Sequence, residues 1–248
     1  MRARPIQRGM SLIELILVIV IITLLIALTL PALGGVRGAA QDAVSLARMR
    51  EHAATTGLYA NDWDDYFPYA VDPGATKSVL RGGGFVLPID YFEFTEFWQF
   101  GLSDEYYGGD PLGEIFAHPA ARRKGVFISY RLTASFMASP EYWVNERDRD
   151  VALWRGVRVS EAAFPSDKAG IVEFNPLHKP PIPVGVGELG PEVRSAGFAF
   201  VDGHASRHDG PDLSTPCLSG DGNVPQAMRG IGVFGMHTVD GVHGRDLK

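Results

Sequence analysis

The N-terminal part of the chain is dominated by one apolar run. It extends from Leu12 to Leu30, and only three of its residues, one of them Glu14, are not plainly apolar. At about 1.5 Å per residue, a helix of this length spans roughly 28 Å, close to the thickness of the hydrocarbon core of a bilayer. Left unpaired at depth, the carboxylate of Glu14 would cost roughly 2.5–3.5 kcal/mol. The pattern therefore predicts a membrane span over about residues 12–30, and the carboxylate of Glu14 within it requires an explanation.

Beyond Pro31 a helical period continues. Small apolar residues recur mostly every three or four positions, which places them on one face of a helix. They are Val36, Ala40, Ala43, Ala47, Ala54 and Leu58. The periodicity predicts a helix over residues 10–60 whose small residues suit close packing against other helices. Gly34 and Gly35 mark either a point where this helix bends or unwinds, or a simple junction at the membrane surface.

Residues 61–248 are long enough for one globular domain, and their pattern predicts antiparallel strands. Val126–Leu132 alternates as a strand does, and the clearest hairpin is Gly197–Arg207. Within it, Asp202-Gly203 predicts a two-residue turn with both residues at positive φ. Alternation places Phe198 and Phe200 on one face of the sheet, and Ala199 and Val201 on the other. The predicted class is α+β, a long N-terminal helix followed by an antiparallel sheet.

Residues 72–125 combine glycine breakers with aromatic residues and are interpreted as a variable insert. Five of the aromatic residues lie close together in the sequence: Phe92, Phe94, Phe97, Trp98 and Phe100. An aromatic cluster can bind carbohydrate, but it more often belongs to a hydrophobic core, which is the interpretation we favour.

Three acidic residues, Asp62, Asp64 and Asp65, follow the predicted helix shortly before Pro68. Aspartates favour turns, and proline blocks further helix. Three close carboxylates can also bind calcium, but this loop lacks the glycine and the distal glutamate of an EF-hand. A solvated turn is the better interpretation.

The charge distribution fits a membrane-tethered domain. The formal net charge is −6, and Met1–Gly9 holds three arginines and no acid, so removing this segment leaves −9. That balance excludes a typical nucleic-acid-binding protein. Positive charge before the apolar run holds the N-terminus in the cytoplasm. A signal peptide shares the basic start, but this run is long, contains an acid and lacks a small-x-small cleavage site at its end, which favours a retained anchor.

The N-terminal motif resembles the leader of type IV prepilins, the family of pilins and of the pseudopilins of secretion and competence systems. Arg8-Gly9 precedes Met10, and Glu14 and Pro31 are the fifth and twenty-second residues counting from Met10. The resemblance implies that a prepilin peptidase cuts between Gly9 and Met10 and methylates the new amino group. It also implies that the helix forms a filament core, in which Glu14 faces the N-terminus of a neighbouring subunit. Glu14 and Pro31 would be the assembly residues.

Parts of the domain resemble a group of pilin-like proteins abundant in planctomycetes. Tyr59–Pro68 is similar to the segment that follows their helix, and Gly170–Phe174 to their short buried strand after a Pro-Ser turn. Their signature is a His, nine residues, and then Asp-Gly followed by His. Asp202-Gly203-His204 matches its end, but the leading His is missing because that position is Glu192 here. Many pilins close a C-terminal loop with a disulfide. Cys217 is the single cysteine of this chain, which favours a pseudopilin-type protein.

The resemblance implies a subunit of a type II secretion or type IV pilus-like filament. Its partners would be prepilin peptidase, other pilin-like subunits and an inner-membrane assembly platform, with no nucleic acid. The helix would cross the inner membrane once, with the domain in the periplasm or on an extracellular filament. An alternative is a membrane-tethered module that binds a polysaccharide or a protein. A tethered metal hydrolase is a third class.

The histidines raise the question of a metal. His204 and His208 are four residues apart, but on an extended strand that spacing is about 13 Å, so a zinc site there would need a bend. His237, Asp240 and His243 lie in a glycine-rich tail, and a metal role there has no support. Asp209 to Asp212 and Asp221-Gly222-Asn223 are loop residues. Calcium stays an open alternative, with Asp221 and Asn223 as weak candidates. We predict no catalytic residues, no enzyme activity and no other cofactor.

Overall fold

The computed structural model describes residues 10–69, 77–81, 85–89, 91–122, 128–144, 151–173, 195–209, 212–214, 217 and 238–248. Several sequence predictions lie outside the described residues. They concern Gly9, Val126, Glu192, His237 and the calcium candidates Asp221 and Asn223.

Helix α1 runs from Leu12 to Asp62, and its backbone stays helical through Pro31, Gly34 and Gly35. The chain forms two compact units, Met1–Gln41 and Asp42–Lys248. The second unit therefore begins with the last part of α1 rather than after the end of the helix.

The second unit contains a four-stranded antiparallel sheet whose strands pair in chain order. Its strands are β3 (Tyr130–Leu132), β4 (Ala169–Glu173), β5 (Ala196–Phe200) and β6 (Ala205–His208). A separate hairpin is formed by β1 (Lys77–Arg81) and β2 (Phe85–Ile89). The long helix followed by an antiparallel sheet confirms the predicted α+β class.

Apolar side chains are buried on both faces of the sheet, as the alternation predicts. Phe198 and Phe200 pack in one cluster with Val172, whereas Ile171 and Ala199 belong to the larger core on the other side. A strand buried on both faces is apolar at successive positions, which explains the run of small and aromatic residues in β5.

The β5–β6 hairpin forms where predicted, but the predicted two-residue turn is wrong. Phe200 accepts a hydrogen bond from the backbone N–H of Gly203 at 2.9 Å, and its own N–H donates to His204 at 2.8 Å. In this loop only Gly203 has a positive φ, of 92°. The connection is thus a turn centred on Val201 and Asp202, closed by a left-handed glycine. The Asp202 side chain accepts a hydrogen bond from the His204 backbone at 3.1 Å, which favours this longer loop.

The predicted insert forms part of the core through three short helices. These are α2 (Phe94–Phe97), α3 (Gln99–Tyr106) and α4 (Pro119–Arg122). Phe92, Phe94 and Trp98 are fully buried, and Trp98 Nε1 donates to the backbone of Tyr130 at 3.0 Å. The interpretation of the aromatic cluster as core is confirmed for these three residues.

Candidate assembly site

In the first unit, the apolar side chains of α1 are exposed in the part of the chain that the structure describes. Leu12 is 76% exposed, and even the least exposed large apolar residue of the run, Val18, is 46% exposed. Among the described residues, α1 is the one helix long and apolar enough to span a membrane, and none of its most apolar stretch is buried. A soluble core helix would bury such side chains, so this segment needs a bilayer or other chains around it.

The polar groups inside the run bond to the helix itself. The Thr29 hydroxyl donates to the Ile26 carbonyl at 3.1 Å, and the Thr23 hydroxyl donates to the Ile19 carbonyl. Hydroxyls satisfied in this way need no water, so both residues are compatible with hydrocarbon.

Glu14 has a local partner at the start of the helix. The Ser11 backbone N–H donates to Glu14 Oε2 at 2.8 Å, and the Ser11 hydroxyl accepts a bond from the Ile13 N–H at 3.4 Å. Leu15 N–H donates to the Ser11 carbonyl at 3.1 Å, the first bond of the helix. The arrangement resembles a capping box, with the Ser11 hydroxyl on the second helical N–H and Glu14 on the N–H of the cap residue. It satisfies N–H groups that every helix N-terminus leaves unpaired. This cap was not predicted from the sequence, although Ser-x-x-Glu before an apolar run is the signature of a capping box.

In the second unit, α1 has one buried and one exposed face. The buried face carries polar and large side chains: Ser45, Met49, His52, Thr56 and Tyr59. The exposed face carries the small apolar residues whose period predicted the helix: Ala43, Ala47, Ala54 and Leu58. The described part of the domain therefore leaves this stripe exposed, where another chain can contact it.

Polar contacts fix the buried face to the domain. Ser45 Oγ and Tyr130 Oη are 2.9 Å apart, and Arg48 donates to the Ala117 carbonyl at 2.6 Å. His52 Nε2 lies 3.0 Å from the Ile115 carbonyl, while the Tyr107 hydroxyl lies 2.8 Å from Nδ1.

The environment of His52 keeps its ring neutral. Burial lowers the pKa of His52 to about 4, with a smaller contribution from Arg48 in the same direction, although the hydrogen bond to Ile115 acts the opposite way. The ring packs among aromatic side chains, stacked on Phe116 with centroids 5.5 Å apart. A neutral histidine with both nitrogens bonded acts here as a packing residue and not as a ligand.

A charged cluster lies where α1 enters the second unit. Arg207 donates to Glu173 at 2.8 Å and lies 3.4 Å from Asp42. His118 Nε2 lies 3.4 Å from Asp42 and 3.8 Å from Glu173. His118 Nδ1 accepts a bond from the Ala120 N–H at 3.1 Å, which places the proton of the neutral ring on Nε2.

In the β5–β6 hairpin, which carries the Asp202-Gly203-His204 signature, the histidine side chains contact other residues of the same hairpin. Asp202 lies 2.6 Å from His204 Nδ1, and the His204 ring stacks on Phe200 with centroids 4.3 Å apart. His208 bonds to Ser206 at 2.7 Å instead of turning toward His204. Across the described ranges, no group of three or more His, Cys, Asp or Glu side chains could hold a metal ion.

The acidic loop after α1 serves as a turn in the structure. Asp62 accepts a bond from the Tyr106 hydroxyl at 3.0 Å, and Asp65 accepts one from the Ser160 N–H at 3.1 Å. Asp64 and Asp65 both have positive φ, which aspartate tolerates better than most residues. The carboxylates of Asp62 and Asp65 therefore bond to other parts of the domain.

Comparison with known proteins agrees with the N-terminal geometry. The family model described as the prokaryotic N-terminal methylation motif matches residues 4–30. No curated protein and no solved structure matches the chain. The chain therefore carries a prepilin-type N-terminus, and its α+β architecture is consistent with a pilin-like fold.

Proposed function

We propose that this chain is a pilin-like or pseudopilin subunit that assembles through α1 into a type II secretion or type IV pilus-like filament. A prepilin peptidase cuts between Gly9 and Met10 and methylates the new amino group. The observation that carries the proposal is the methylation motif at residues 4–30, together with an apolar helix whose most apolar stretch is not buried among the described residues. We assign no enzymatic activity and no cofactor.

Glu14 supports this proposal because, among the described residues, its carboxylate bonds to an uncharged donor. In the single subunit it accepts from the Ser11 N–H, a neutral donor, at 2.8 Å. The charged amino group of a neighbour's Met10 is a stronger donor, since charge-assisted hydrogen bonds are roughly twice as strong as neutral ones. If Glu14 exchanges its bond to Ser11 for one to the amino group of a neighbour's Met10, the neighbouring subunit takes one defined position along the filament.

The exposed stripe of α1 supports assembly further from the membrane. Ala47 and Ala54 are exposed, whereas the opposite face of this part of the helix packs on the domain. Small residues let two helix backbones approach closely, which strengthens packing between helices. In this assignment the basic leader lies in the cytoplasm and the domain in the periplasm, and the partners are the peptidase, other pilin-like subunits and the inner-membrane platform.

The experiment is N-terminal sequencing and intact-mass analysis of the membrane-fraction protein, expressed with and without a prepilin peptidase. We expect a new N-terminus at Met10 carrying one methyl group, dependent on the peptidase. A chain that still begins at Met1, or that is cut beyond Leu30, would contradict the proposal. Either result would favour the anchored or secreted binding module.

The role of Glu14 needs a separate test with a matched control. We expect Glu14→Ala to abolish incorporation into filaments while the domain stays folded by circular dichroism. Thr23→Ala is the control, because the Thr23 hydroxyl bonds to its own helix and should not matter for assembly. Filaments of normal yield from Glu14→Ala would rule out the proposed pairing.

A further inference from the structure

Three polar residues meet in a dry site that joins the C-terminal segment to the sheet. Lys168 directly precedes β4, whereas Thr238 and Asp246 belong to residues 238–248. The Lys168 and Asp246 side chains are 0% and 1% exposed, and Thr238 is buried as well. Water is thus excluded from a lysine amine and a carboxyl group that face each other.

The contacts place one hydroxyl between the amine and the carboxyl group. Lys168 Nζ lies 3.3 Å from Asp246 Oδ2 and donates to Thr238 Oγ1 at 2.6 Å. The Thr238 hydroxyl in turn donates to Asp246 Oδ1. Lys168 Nζ also donates to the Gly241 carbonyl at 2.7 Å, and the Ala169 N–H donates to Asp246 Oδ2 at 2.8 Å.

Burial favours the uncharged form of both partners. It lowers the pKa of Lys168 and raises the pKa of Asp246, although each charge partly offsets the effect on the other. A proton can pass from Lys168 through the Thr238 hydroxyl to Asp246 Oδ1, since this hydroxyl contacts both groups. The transfer leaves a neutral amine, which is a nucleophile, beside a neutral carboxylic acid.

We propose that Lys168 Nζ and Asp246 Cγ condense into an intrachain amide bond. The Nζ lone pair forms the N–C bond at Cγ, and a second proton passes from Nζ through Thr238 to Oδ1. The Cγ–Oδ1 bond then breaks and Oδ1 leaves as one water molecule. No oxidation or further reactant is involved.

The surrounding groups suit each stage of this condensation. The Ala169 N–H is aimed at Oδ2, where negative charge develops in the tetrahedral intermediate, as an oxyanion donor is. The single proton left on Nζ keeps the Gly241 carbonyl as its acceptor. Well-oriented intramolecular reactions reach effective molarities of roughly 10⁵–10⁸ M, and exclusion of water opposes the reverse hydrolysis.

The amide would give the domain an intrachain cross-link, which this chain cannot form as a disulfide. Cys217 is the single cysteine, so no intrachain disulfide can form. A bond between Lys168 and Asp246 would tie the C-terminal segment to β4 and would survive reduction and boiling in detergent. Its use rests on the proposed filament function: in a subunit under pulling force, the bond would keep this part of the domain from separating.

Denatured intact-mass analysis and tryptic mapping of the full-length, detergent-purified protein test the proposal. We expect a mass lower by one water than the sequence gives for the observed N-terminus. We also expect no cleavage after Lys168, and a branched peptide that joins Lys168 to Asp246. A full mass, with Lys168 cleaved and Asp246 in a linear peptide, would show an ion pair only and overturn the proposal.

Variants separate the cross-link from the fold. Lys168→Met should restore the full mass, whereas the control Lys248→Met should keep the mass deficit. Thr238→Val removes the proton relay and should slow growth of the cross-linked fraction by about 10²-fold or more in a pulse-chase experiment. An unchanged rate in folded Thr238→Val would exclude the relay. None of these readouts depends on peptidase cleavage or filament assembly.

Discussion

Arg207 on β6 reaches Glu173 on β4 across the intervening strand, where the residue between them is Gly197. The Arg207 guanidinium donates to Glu173 Oε2 at 2.8 Å, and the Gly197 N–H donates to the same oxygen at 3.0 Å. A Cβ on Gly197 would lie 3.2 Å from this oxygen and 2.8 Å from Met49 Sδ. The glycine therefore opens the path for an ion pair between two strands that are not neighbours.

Gly197→Ala should destabilise the second unit because the new methyl group overpacks this contact. We expect the free energy of unfolding to fall by about 1–3 kcal/mol in urea titrations of the full chain, followed by tryptophan fluorescence. The matched control is Gly57→Ala on α1, where an added Cβ meets nothing within 4 Å. Alanine there should raise stability by about 0.5–1 kcal/mol. Equal effects of the two substitutions would contradict the role assigned to Gly197.

Arg207→Met should be far more destabilising than loss of an exposed pair. It leaves the fully buried Glu173 carboxylate without its cation, which typically costs about 3–5 kcal/mol. The control is Arg245→Met, because Arg245 forms an exposed ion pair: its side chain is 53% exposed, and its Nη1 lies 3.6 Å from Asp167 Oδ2. Such a pair contributes about 1 kcal/mol or less. Similar unfolding midpoints for both variants would exclude a structural role of the buried pair.

Local patterns were sufficient to predict much of the fold. The apolar run and the three-to-four spacing predicted α1, and alternation predicted the opposite faces of Phe198 and Ala199. The turn at Asp202 was predicted wrongly because its side chain bonds to the His204 backbone, a local competition that the Asp-Gly pair does not reveal. Patterns within a few residues therefore identify elements better than they identify loop geometry.

The sites differ in how far the sequence reveals them. Glu14 stands out because it is the one acid in an apolar run, and its bond to Ser11 could have been predicted from the capping motif. The pair of Glu173 with Arg207 and that of Lys168 with Asp246 could not, because their partners are distant in sequence and meet only through tertiary packing. The spacing of Ala47 and Ala54 predicted that they share one face of α1. It did not predict whether the domain would cover this face.

His52 should make stability depend on pH. Its ordinary pKa of about 6.5 applies in the unfolded chain, whereas burial holds it at about 4 in the folded protein. Between these values the unfolded chain binds the proton more readily, so the free energy of unfolding rises with pH. The contribution of His52 should fall by about 3 kcal/mol from pH 6.5 to pH 4 and be fully present above pH 6.5.

A substitution isolates this contribution from that of the carboxylates. His52→Gln keeps a donor for Ile115 and an acceptor for Tyr107, and we expect its unfolding free energy to vary less between pH 4 and 6.5. The exposed His243→Gln is the control and should keep the wild-type dependence. Urea midpoints measured across this pH range check both. A wild-type slope in His52→Gln would mean that His52 is not the group responsible.

The exposed face of α1 should separate assembly from folding. Ala47→Arg and Ala54→Arg place a charged side chain on the small-residue stripe without disturbing the face that packs on the domain. Since both positions are exposed in the subunit, we expect unfolding free energies within about 0.5 kcal/mol of wild type. Incorporation into filaments should be lost, because the side chain prevents close approach of a neighbouring helix. Ala163→Arg makes the same chemical change at an exposed position outside α1 and should assemble normally. Co-sedimentation of sheared filaments measures the yield, and normal filaments from both α1 variants would show that another face of the subunit makes the contacts.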